Sequence, residues 1–379
     1  MPGNRGPAEL PPPDSQALAA SHALLQRIGA QLGAAGNWIS FARYMELALY
    51  EPGLGYYASG ARKLGAGGDF VTAPELSPLF ARTLARQVAQ LLQPGDAILE
   101  FGAGSGALAE TLLSEFESIN YKILEPSAEL ASRQKSRLGN HVQWLDRLPE
   151  RFRGVMLANE VVDAMPVHTL AWTQSGVLER GVCANAGQLA WSDRRAEGAV
   201  LATAGEIDIE IPPSGRYESE LALAARAWMR SLGGFLDRGA LLVIDYGFPA
   251  HEYFHPQRSM GTLACHYRHH VHGDPFYLPG LQDVTAHVDF SALARAAAEA
   301  GLEVLGYAHQ AQFLVNCGIT DLLAEENPAD PKRYLPAAAA AQKLLSPSEM
   351  GELFKVLAVG KGVKDALMGF SHGDRSGTL

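Results

Sequence analysis

The stretch 98–110, ILEFGAGSGALAE, constrains the fold of this 379-residue chain more than any other segment. An apolar run leads into three glycines at alternate positions, Gly102, Gly104 and Gly106, and continues as an alanine-rich segment. Glycine at every second position suits neither a strand nor a helix, so we expect a sharp turn from a strand into a helix. The N–H groups left free at such a helix N-terminus can contact a ligand that approaches the backbone closely.

Strands and helices alternate after this turn and predict an α/β fold. Apolar strands that are separated by helices and buried on both faces are typical of a mostly parallel, doubly wound sheet. The predicted strands lie in AILEF, YKILEPS, VQWLD, GVMLANEVVD, ALLVIDYG, EVLGYAH and LFKVLAVGKG. Short strands with Gly and Asn turns interrupt this rhythm after the fourth strand, and we expect them at the carboxyl edge of the sheet, where ligands bind.

These patterns divide the chain into four regions. The predicted regions are a mobile tail at 1–14, an N-terminal helical and lid segment at 15–94, a core at 95–362 and a C-terminal tail at 363–379. Two insertions interrupt the core, one of short strands at 168–226 and one that is helical and alanine-rich at 318–350.

The charge of the chain argues against a polyanionic partner. The formal net charge is −10, and no run of Lys or Arg interrupts the acidic balance. Nucleic acid and anionic membranes bind to basic patches that neutralise phosphates, so neither is expected as a partner. The three cysteines show no metal-binding spacing, and no apolar stretch reaches the roughly 20 residues that span a bilayer. We expect a cytoplasmic protein without a metal, and the sequence leaves a homodimer open.

Two carboxylates that follow later strands suit an adenosine-containing ligand. Glu125 ends the strand after the glycine turn, where a carboxylate can accept hydrogen bonds from both ribose hydroxyls. Asp146 follows the third strand, where an adenine amino group could be held. The glycines also fit the dinucleotide spacing G-x-G-x-x-G/A if Ala107 is the last position, so they leave NAD(P) and S-adenosylmethionine both open.

Glu100 favours the methyl donor over the dinucleotide. It lies two residues before the first glycine, at the tip of the strand. A carboxylate there would repel a pyrophosphate, whereas it would attract the ammonium group of a methionine moiety.

Three polar residues, Asn159, Glu160 and Asp163, follow the fourth strand in MLANEVVDAMPV. We expect their side chains to face the ligand crevice and the carboxylates to hold a cationic acceptor beside the transferred methyl group. The planar guanidinium of arginine matches two carboxylates, and one of them could accept the proton released on N-methylation. The alternative is that Asp163 caps a helix while Glu160 is solvated.

Histidines are concentrated in two later segments. His266, His269, His270 and His272 lie in CHYRHHVHGDPF, which we interpret as an irregular loop and a polar wall of the substrate cleft, with metal binding as the less favoured alternative. His287 precedes a helix that Asp289 is expected to cap, and it is either a proton acceptor in the cleft or a structural histidine.

The segment GGDFVTAPELS precedes the sheet and has the composition of a lid. Phe70 and Thr72 could close over the cofactor, with Gly67 and Gly68 as the hinge. A plain surface loop is the alternative.

Seven segments in this order resemble the MidA-like family of class I S-adenosylmethionine-dependent methyltransferases. They are RYMELALYEPGLGYY, GGDFVTAPELSPLF, ILEFGAGSGALA, ILEPSAEL, ANEVVDAMPVH, GALLVIDYGFP and LQDVTAHVDF. The resemblance implies a Rossmann-like core with an N-terminal helical segment and an inserted substrate-side subdomain. It assigns the three glycines to the donor loop, Glu125 to the ribose, GGDF to a cover over the donor and NEVVDAMP to the acceptor site.

The resemblance also implies a reaction. Mitochondrial members are complex I assembly factors that methylate arginine on a core subunit, and the lack of a clear import presequence here points to a bacterial member. The predicted function is S-adenosylmethionine-dependent methylation of arginine on a partner protein, such as a respiratory complex I subunit. A small-molecule methyltransferase and a donor-binding assembly chaperone stay open as alternatives.

Overall fold

The computed structural model describes residues 10–59 and 72–379. Its helices are α1 (Ser15–Ala34), α2 (Phe41–Tyr50), α3 (Ala73–Leu76), α4 (Pro78–Leu91), α5 (Ala107–Glu115), α6 (Ala128–Leu138), α7 (Gly198–Ala204), α8 (Leu223–Phe235), α9 (Ala250–Tyr253), α10 (Phe290–Glu299), α11 (Gln310–Asn316), α12 (Ile319–Ala324) and α13 (Pro331–Leu345). Its strands are β1 (Ile39–Ser40), β2 (Ala97–Phe101), β3 (Asn120–Leu124), β4 (Val142–Leu145), β5 (Phe152–Asn159), β6 (His168–Thr173), β7 (Gly176–Asn185), β8 (Gln188–Arg195), β9 (Arg216–Leu221), β10 (Leu236–Phe248), β11 (Ala264–Tyr267), β12 (His270–His272), β13 (Asp283–Thr285), β14 (Val288–Asp289), β15 (Glu303–His309) and β16 (Phe354–Lys361).

The central sheet confirms the predicted α/β fold. Its strands run in the order β15-β16-β10-β5-β2-β3-β4, and the short β14 pairs with the end of β10. Neighbours from β10 to β4 are parallel, whereas β16 is antiparallel to both β10 and β15. The carboxyl ends of β2, β3, β5 and β10 therefore meet at one edge, on both sides of the point where the chain direction across the sheet reverses.

Helices cover both faces of this sheet because its strands are apolar on both faces. On β2, Ile98 packs towards α4 and α5, and Leu99 packs towards α8 and α10. On β5, Val155 and Met156 alternate in the same way. Burial on both faces explains why these strands read as continuous apolar runs rather than as alternating ones.

Two smaller sheets lie beside the core. β6, β7, β8 and β9 form an antiparallel sheet that β1 extends at one end of β7. This sheet accounts for the short strands predicted in 168–226, and α12 and α13 account for the helices predicted in 318–350. The domain limits drawn from the sequence stay a prediction.

The histidine-rich segment is not the irregular loop that its composition indicates. Residues 264–272 form a hairpin of β11 and β12, and β13 pairs with the other edge of β11. Arg268 and His269 turn this hairpin with φ of 46° and 64°, as in the type I′ turns that join two-residue hairpins. Neither residue is the Gly, Asn or Asp that usually marks such a turn, so its composition gave no signal.

The predicted cap of α10 is confirmed, since the Asp289 carboxylate accepts a hydrogen bond from the N–H of Ala292 at 3.0 Å. Among the helices at 10–59 and 72–379, none combines the length and apolar composition that crossing a membrane requires.

The packing of α8 and α10 against the sheet predicts a large loss of stability for Leu232→Ala. Leu232 is fully buried in this layer, and the substitution is expected to lower the free energy of unfolding by about 2–5 kcal/mol. The matched control is Leu335→Ala on α13, where the leucine is 61% exposed and the expected change is below about 0.5 kcal/mol. Urea unfolding of both variants measures the difference, and equal losses would contradict the layer packing described here.

Candidate active site

A cavity of about 980 Å³ opens at the carboxyl edge of the central sheet. This volume is at the upper end of what small-molecule sites usually offer. Its walls come from the turns after β2, β3 and β5, from the end of β10, and from α2 and β6 outside the sheet. Three parts of the chain line it. They are the turns after β2 and β3, the acidic segment after β5, and a wall of aromatic and polar side chains that faces this acidic segment.

The glycine turn forms one end of the cavity, as the sequence predicts. Gly102, Gly104 and Gly106 have φ of 58°, 55° and 80°, a region in which residues with a Cβ are strained. A Cβ on Gly102 would lie 3.2 Å from Val161, and one on Gly106 would lie 3.3 Å from Leu138. The backbone of residues 102–105 can therefore line the cavity on one side while the side chains of Val161 and Leu138 pack against the glycine turn on the other.

Glu125 lies at the same end and faces the cavity. Its carboxylate accepts hydrogen bonds from the N–H of Ser127 at 3.0 Å and from the amide of Gln134 at 2.9 Å. Burial raises the pKa of Glu125, and these donors, together with the N–H of Gly104, oppose that rise. The carboxylate is thus fixed on one side by the protein.

Asp146 is not brought to this cavity. It follows β4, the edge strand of the sheet, and its side chain is exposed to solvent. The cavity lining described above does not include it. The adenine contact predicted for Asp146 therefore stays a prediction.

Glu100 is buried in the wall of the cavity and is 3% exposed. The Tyr121 hydroxyl donates to it at 2.8 Å. Burial raises the pKa of Glu100 to about 8, although the Tyr121 hydrogen bond acts in the opposite direction. A cation that approached Glu100 would favour its ionised form.

The segment after β5 brings Asn159 and Glu160 to the cavity. Glu160 has φ of 53°, which is uncommon for a residue with a side chain. Its carboxylate accepts hydrogen bonds from the amide of Asn159 at 3.2 Å and from the N–H of Ala73 at 3.4 Å. Burial, and then the charge of Asp163, raise the pKa of Glu160 to about 8.

Asp163 lines the cavity next to Glu160 and is held by Tyr246, whose hydroxyl donates to it. Burial raises the pKa of Asp163 to about 6, against the effect of the Tyr246 hydrogen bond. Asp163 does not cap a helix, so the alternative drawn from the sequence is wrong for this residue. The turn from Val162 to Pro166 leads into β6 instead.

A wall opposite these acids was missed by the sequence analysis. Tyr50 and Tyr57 stack with ring centres 5.6 Å apart and rings inclined by 21°. The Tyr50 hydroxyl donates to the carbonyl of Ala164 at 3.0 Å, and the Tyr57 hydroxyl donates to Asp283 at 2.8 Å. No sequence pattern links these residues, because Tyr57 and Asp283 are 226 positions apart.

Of the four histidines in the segment 265–276, His266 alone lines the cavity. His266 lines the cavity and lies 3.4 Å from the Thr285 hydroxyl. His287 points elsewhere: its ring packs against Tyr246 and Phe248, with centres 5.1 and 5.2 Å away. Burial and neighbouring cations lower the pKa of His287 to about 4. His287 is not among the residues that line the cavity, and its role as a proton acceptor stays a prediction.

The proposed lid falls largely outside the described residues. Gly67, Gly68 and Phe70 are not among them. Thr72 is described and lines the cavity at the start of α3. In the described parts of the chain, no group of His, Cys, Asp and Glu side chains is arranged to hold a metal ion.

The residues of this cavity fit S-adenosylmethionine. The buried Oδ1 of Asn159 has no hydrogen-bond partner among the described residues, so it can accept a bond from a polar ligand. Glu125 is placed for hydroxyl groups, and Glu100 and Glu160 are placed for positive charge. Leu124, Leu130 and Leu108 supply apolar surface for a base.

Comparisons with known proteins agree with this fit. Residues 79–308 match a family described as "Putative S-adenosyl-L-methionine-dependent methyltransferase". A crystal structure of a COG1565 superfamily member from Burkholderia thailandensis, bound to S-adenosyl-homocysteine, is 51% identical. It covers 98% of this chain and all of its own, with a TM-score of 0.93. A native crystal structure from the same organism, also 51% identical with the same coverage, has a TM-score of 0.91.

More distant relatives carry a named activity. The mitochondrial protein arginine methyltransferase NDUFAF7 of Danio rerio is 29% identical over 89% of this chain and 86% of its own length. The same protein of Mus musculus is 29% identical over 85% of this chain and 80% of its own length. Since the family match spans more than half of the sequence and a half-identical structure holds the demethylated donor, this chain belongs to the MidA-like family of class I S-adenosylmethionine-dependent methyltransferases.

Proposed function

We propose that this methyltransferase N-methylates arginine side chains of a partner protein. The observation that carries the proposal is a pair of carboxylates that line the donor cavity, the half-buried Glu160 and the buried Asp163. In the described structure both accept hydrogen bonds from neutral groups only, and no Lys, Arg or His pairs with them. Buried carboxylates without a cation are costly, so a cationic ligand would be bound strongly there.

The donor half of the site follows from the same contacts. We assign Glu125 to the ribose hydroxyls and the backbone of the glycine turn to the nucleoside. Glu100 and Asn159 are assigned to the methionine end, where an ammonium group and a carboxylate must be accommodated. Thr72 lies at the border of this half.

The acceptor half is suited to a planar cation. The rings of Tyr50 and Tyr57 are fixed by their hydroxyl bonds, and Asp283, which accepts the bond from Tyr57, also lines the cavity. Aromatic faces attract guanidinium groups, and two carboxylates can bind one guanidinium through paired hydrogen bonds. An arginine acceptor is also the one named for the NDUFAF7 relatives.

The chemistry requires alignment and removal of one proton. When bound, S-adenosylmethionine supplies an electrophilic methyl group whose carbon–sulfur bond breaks as a carbon–nitrogen bond forms. Glu160 and Asp163 would hold the guanidinium so that one nitrogen points at that methyl group. The nitrogen then loses a proton, and Glu160 is the acceptor we assign, since its raised pKa makes it a competent base near neutral pH.

Labelled-methyl transfer into a host lysate tests the acceptor directly. The labelled protein is digested and the modified residue is identified by mass spectrometry. Label on an arginine nitrogen supports the proposal. Label on another residue type, or only in small molecules, contradicts it and leaves the methyltransferase assignment unaffected.

Glu160→Gln should separate transfer from donor binding. The substitution keeps the shape of the side chain and removes both its charge and its ability to accept a proton. We expect the rate of methyl transfer to fall by about 10²-fold or more, while the dissociation constant for S-adenosylhomocysteine changes by less than about threefold. Glu110→Gln, which neutralises a surface carboxylate paired with Arg137, is the matched control for both measurements. Equal losses of transfer and binding would assign Glu160 to the donor instead.

Donor binding should release protons near pH 7. The raised pKa values of Glu100 and Glu160, both about 8, leave these groups largely protonated in the free protein at this pH. A bound sulfonium and ammonium favour the ionised forms, so their protons pass to the buffer. Calorimetric titration in two buffers of different ionisation enthalpy counts them. S-adenosylmethionine should release more than S-adenosylhomocysteine, whose sulfur is neutral, and an equal count for both would refute this electrostatic role.

A further inference from the structure

We infer that Gln134 is a positioning residue for the donor, because it ties the ribose-binding carboxylate to the glycine turn. Gln134 lies on α6 and is fully buried. It does not line the cavity, so any effect it has on a ligand passes through its neighbours. The inference rests on the proposed role of Glu125 as the ribose ligand.

All hydrogen-bonding groups of the Gln134 amide are used. One N–H of the amide donates to the Glu125 carboxylate at 2.9 Å, and the other donates to the carbonyl of Gly104 at 3.0 Å. The amide oxygen accepts the indole N–H of Trp144 at 3.1 Å. The side chain thereby connects the turns after β2 and β3 with the end of the edge strand β4.

The orientation of this amide is dictated by chemistry. A carboxylate only accepts and an indole N–H only donates, so the NH₂ group must face Glu125 and the oxygen must face Trp144. Protein groups alone therefore fix both the NH₂ group and the oxygen of the Gln134 amide, and no ligand is needed to orient them. Gln134 holds one oxygen of Glu125, and the N–H of Ser127 holds the other at 3.0 Å.

These bonds fix the distance between the glycine turn and the Glu125 carboxylate, the two parts of the protein that we assign to the nucleoside. Gly104 lies in the glycine turn, whose backbone rather than its side chains faces the ligand site, and its φ is 55°. Its N–H also contributes to stabilising the Glu125 carboxylate, and its carbonyl is held by Gln134. A ligand that contacts both the glycine turn and Glu125 then binds without the entropic cost of ordering them.

The test compares dissociation constants for S-adenosylhomocysteine, measured by calorimetry on the full chain. Gln134→Leu should weaken binding about ten- to hundredfold, since it removes the side-chain donor to one oxygen of Glu125 and to the Gly104 carbonyl. Gln134→Glu should weaken it more, because it sets a second carboxylate beside Glu125. Trp144→Phe should have a smaller, several-fold effect, because it removes only the group that orients the amide.

A matched control separates positioning from general destabilisation. Gln87 is also fully buried on a helix, and it accepts the N–H of Gly369 at 2.8 Å and donates to Gln90 at 2.8 Å. Gln87→Leu should lower the melting temperature as Gln134→Leu does, yet change the dissociation constant by less than about twofold. If Gln134→Leu does not fold, the comparison of Gln134→Glu with Trp144→Phe carries the test.

A second readout tests the route through the ribose. With an S-adenosylhomocysteine analogue that lacks the ribose 2′-hydroxyl, the loss caused by Gln134→Leu should shrink, because the contact it supports is already missing. A loss of the same size with both ligands would show that Gln134 acts only on the fold.

The outcomes also distinguish this inference from its premise. If Glu125→Gln weakens binding more than tenfold while Gln134→Leu stays within twofold of wild type, the ribose role stands and the positioning role is wrong. If Glu125→Gln leaves binding unchanged, the proposed ribose contact itself fails. Neither result bears on whether the acceptor is arginine.

Discussion

The active-site turn depends on one buried carboxylate, Asp245, which lies within β10 and is completely inaccessible to solvent. One of its oxygens accepts the consecutive N–H groups of Val161, Val162 and Asp163, at 3.2, 2.9 and 3.3 Å. The other oxygen accepts the N–H of Tyr246 at 2.9 Å. A turn that cannot satisfy its own N–H groups is thus satisfied by the neighbouring strand. The direction in which Glu160 and Asp163 leave β5 is set by this contact.

The same contact concentrates negative charge in a small buried volume. After burial, the charge of Asp163 raises the pKa of Glu160, and the charges of Asp163 and Glu160 raise the pKa of Asp245. Such an arrangement lowers the stability of the free protein, and it persists only because the surrounding sheet fixes it. A cation bound between the carboxylates would relieve the repulsion, which supports the proposed cationic acceptor.

How much could be predicted from the sequence differs between the two halves of the cavity. The glycine turn, Glu100 and Glu125 come from 98–125, where the order of strand, turn and helix fixes their relative positions. Tyr50, Tyr57 and Asp283 come from segments that only the tertiary fold brings together, and no local pattern marks them. His287 was equally conspicuous in the sequence, and its ring packs on Tyr246 and Phe248 beside the cavity.

This division also bears on how the acceptor is recognised. The donor half is built from the central sheet and its first helices, and it is tied together by contacts such as that of Gln134 with Gly104. The acceptor half is lined by α2, by the start of β6 and by the β11–β13 sheet, which lie outside the central sheet. The two halves are joined directly, since the Ser127 hydroxyl beside Glu125 donates to the carbonyl of Tyr57 at 2.6 Å. On the proposed assignment, acceptor preference would depend on these outer elements, whereas methyl donation would depend on the central sheet and its turns.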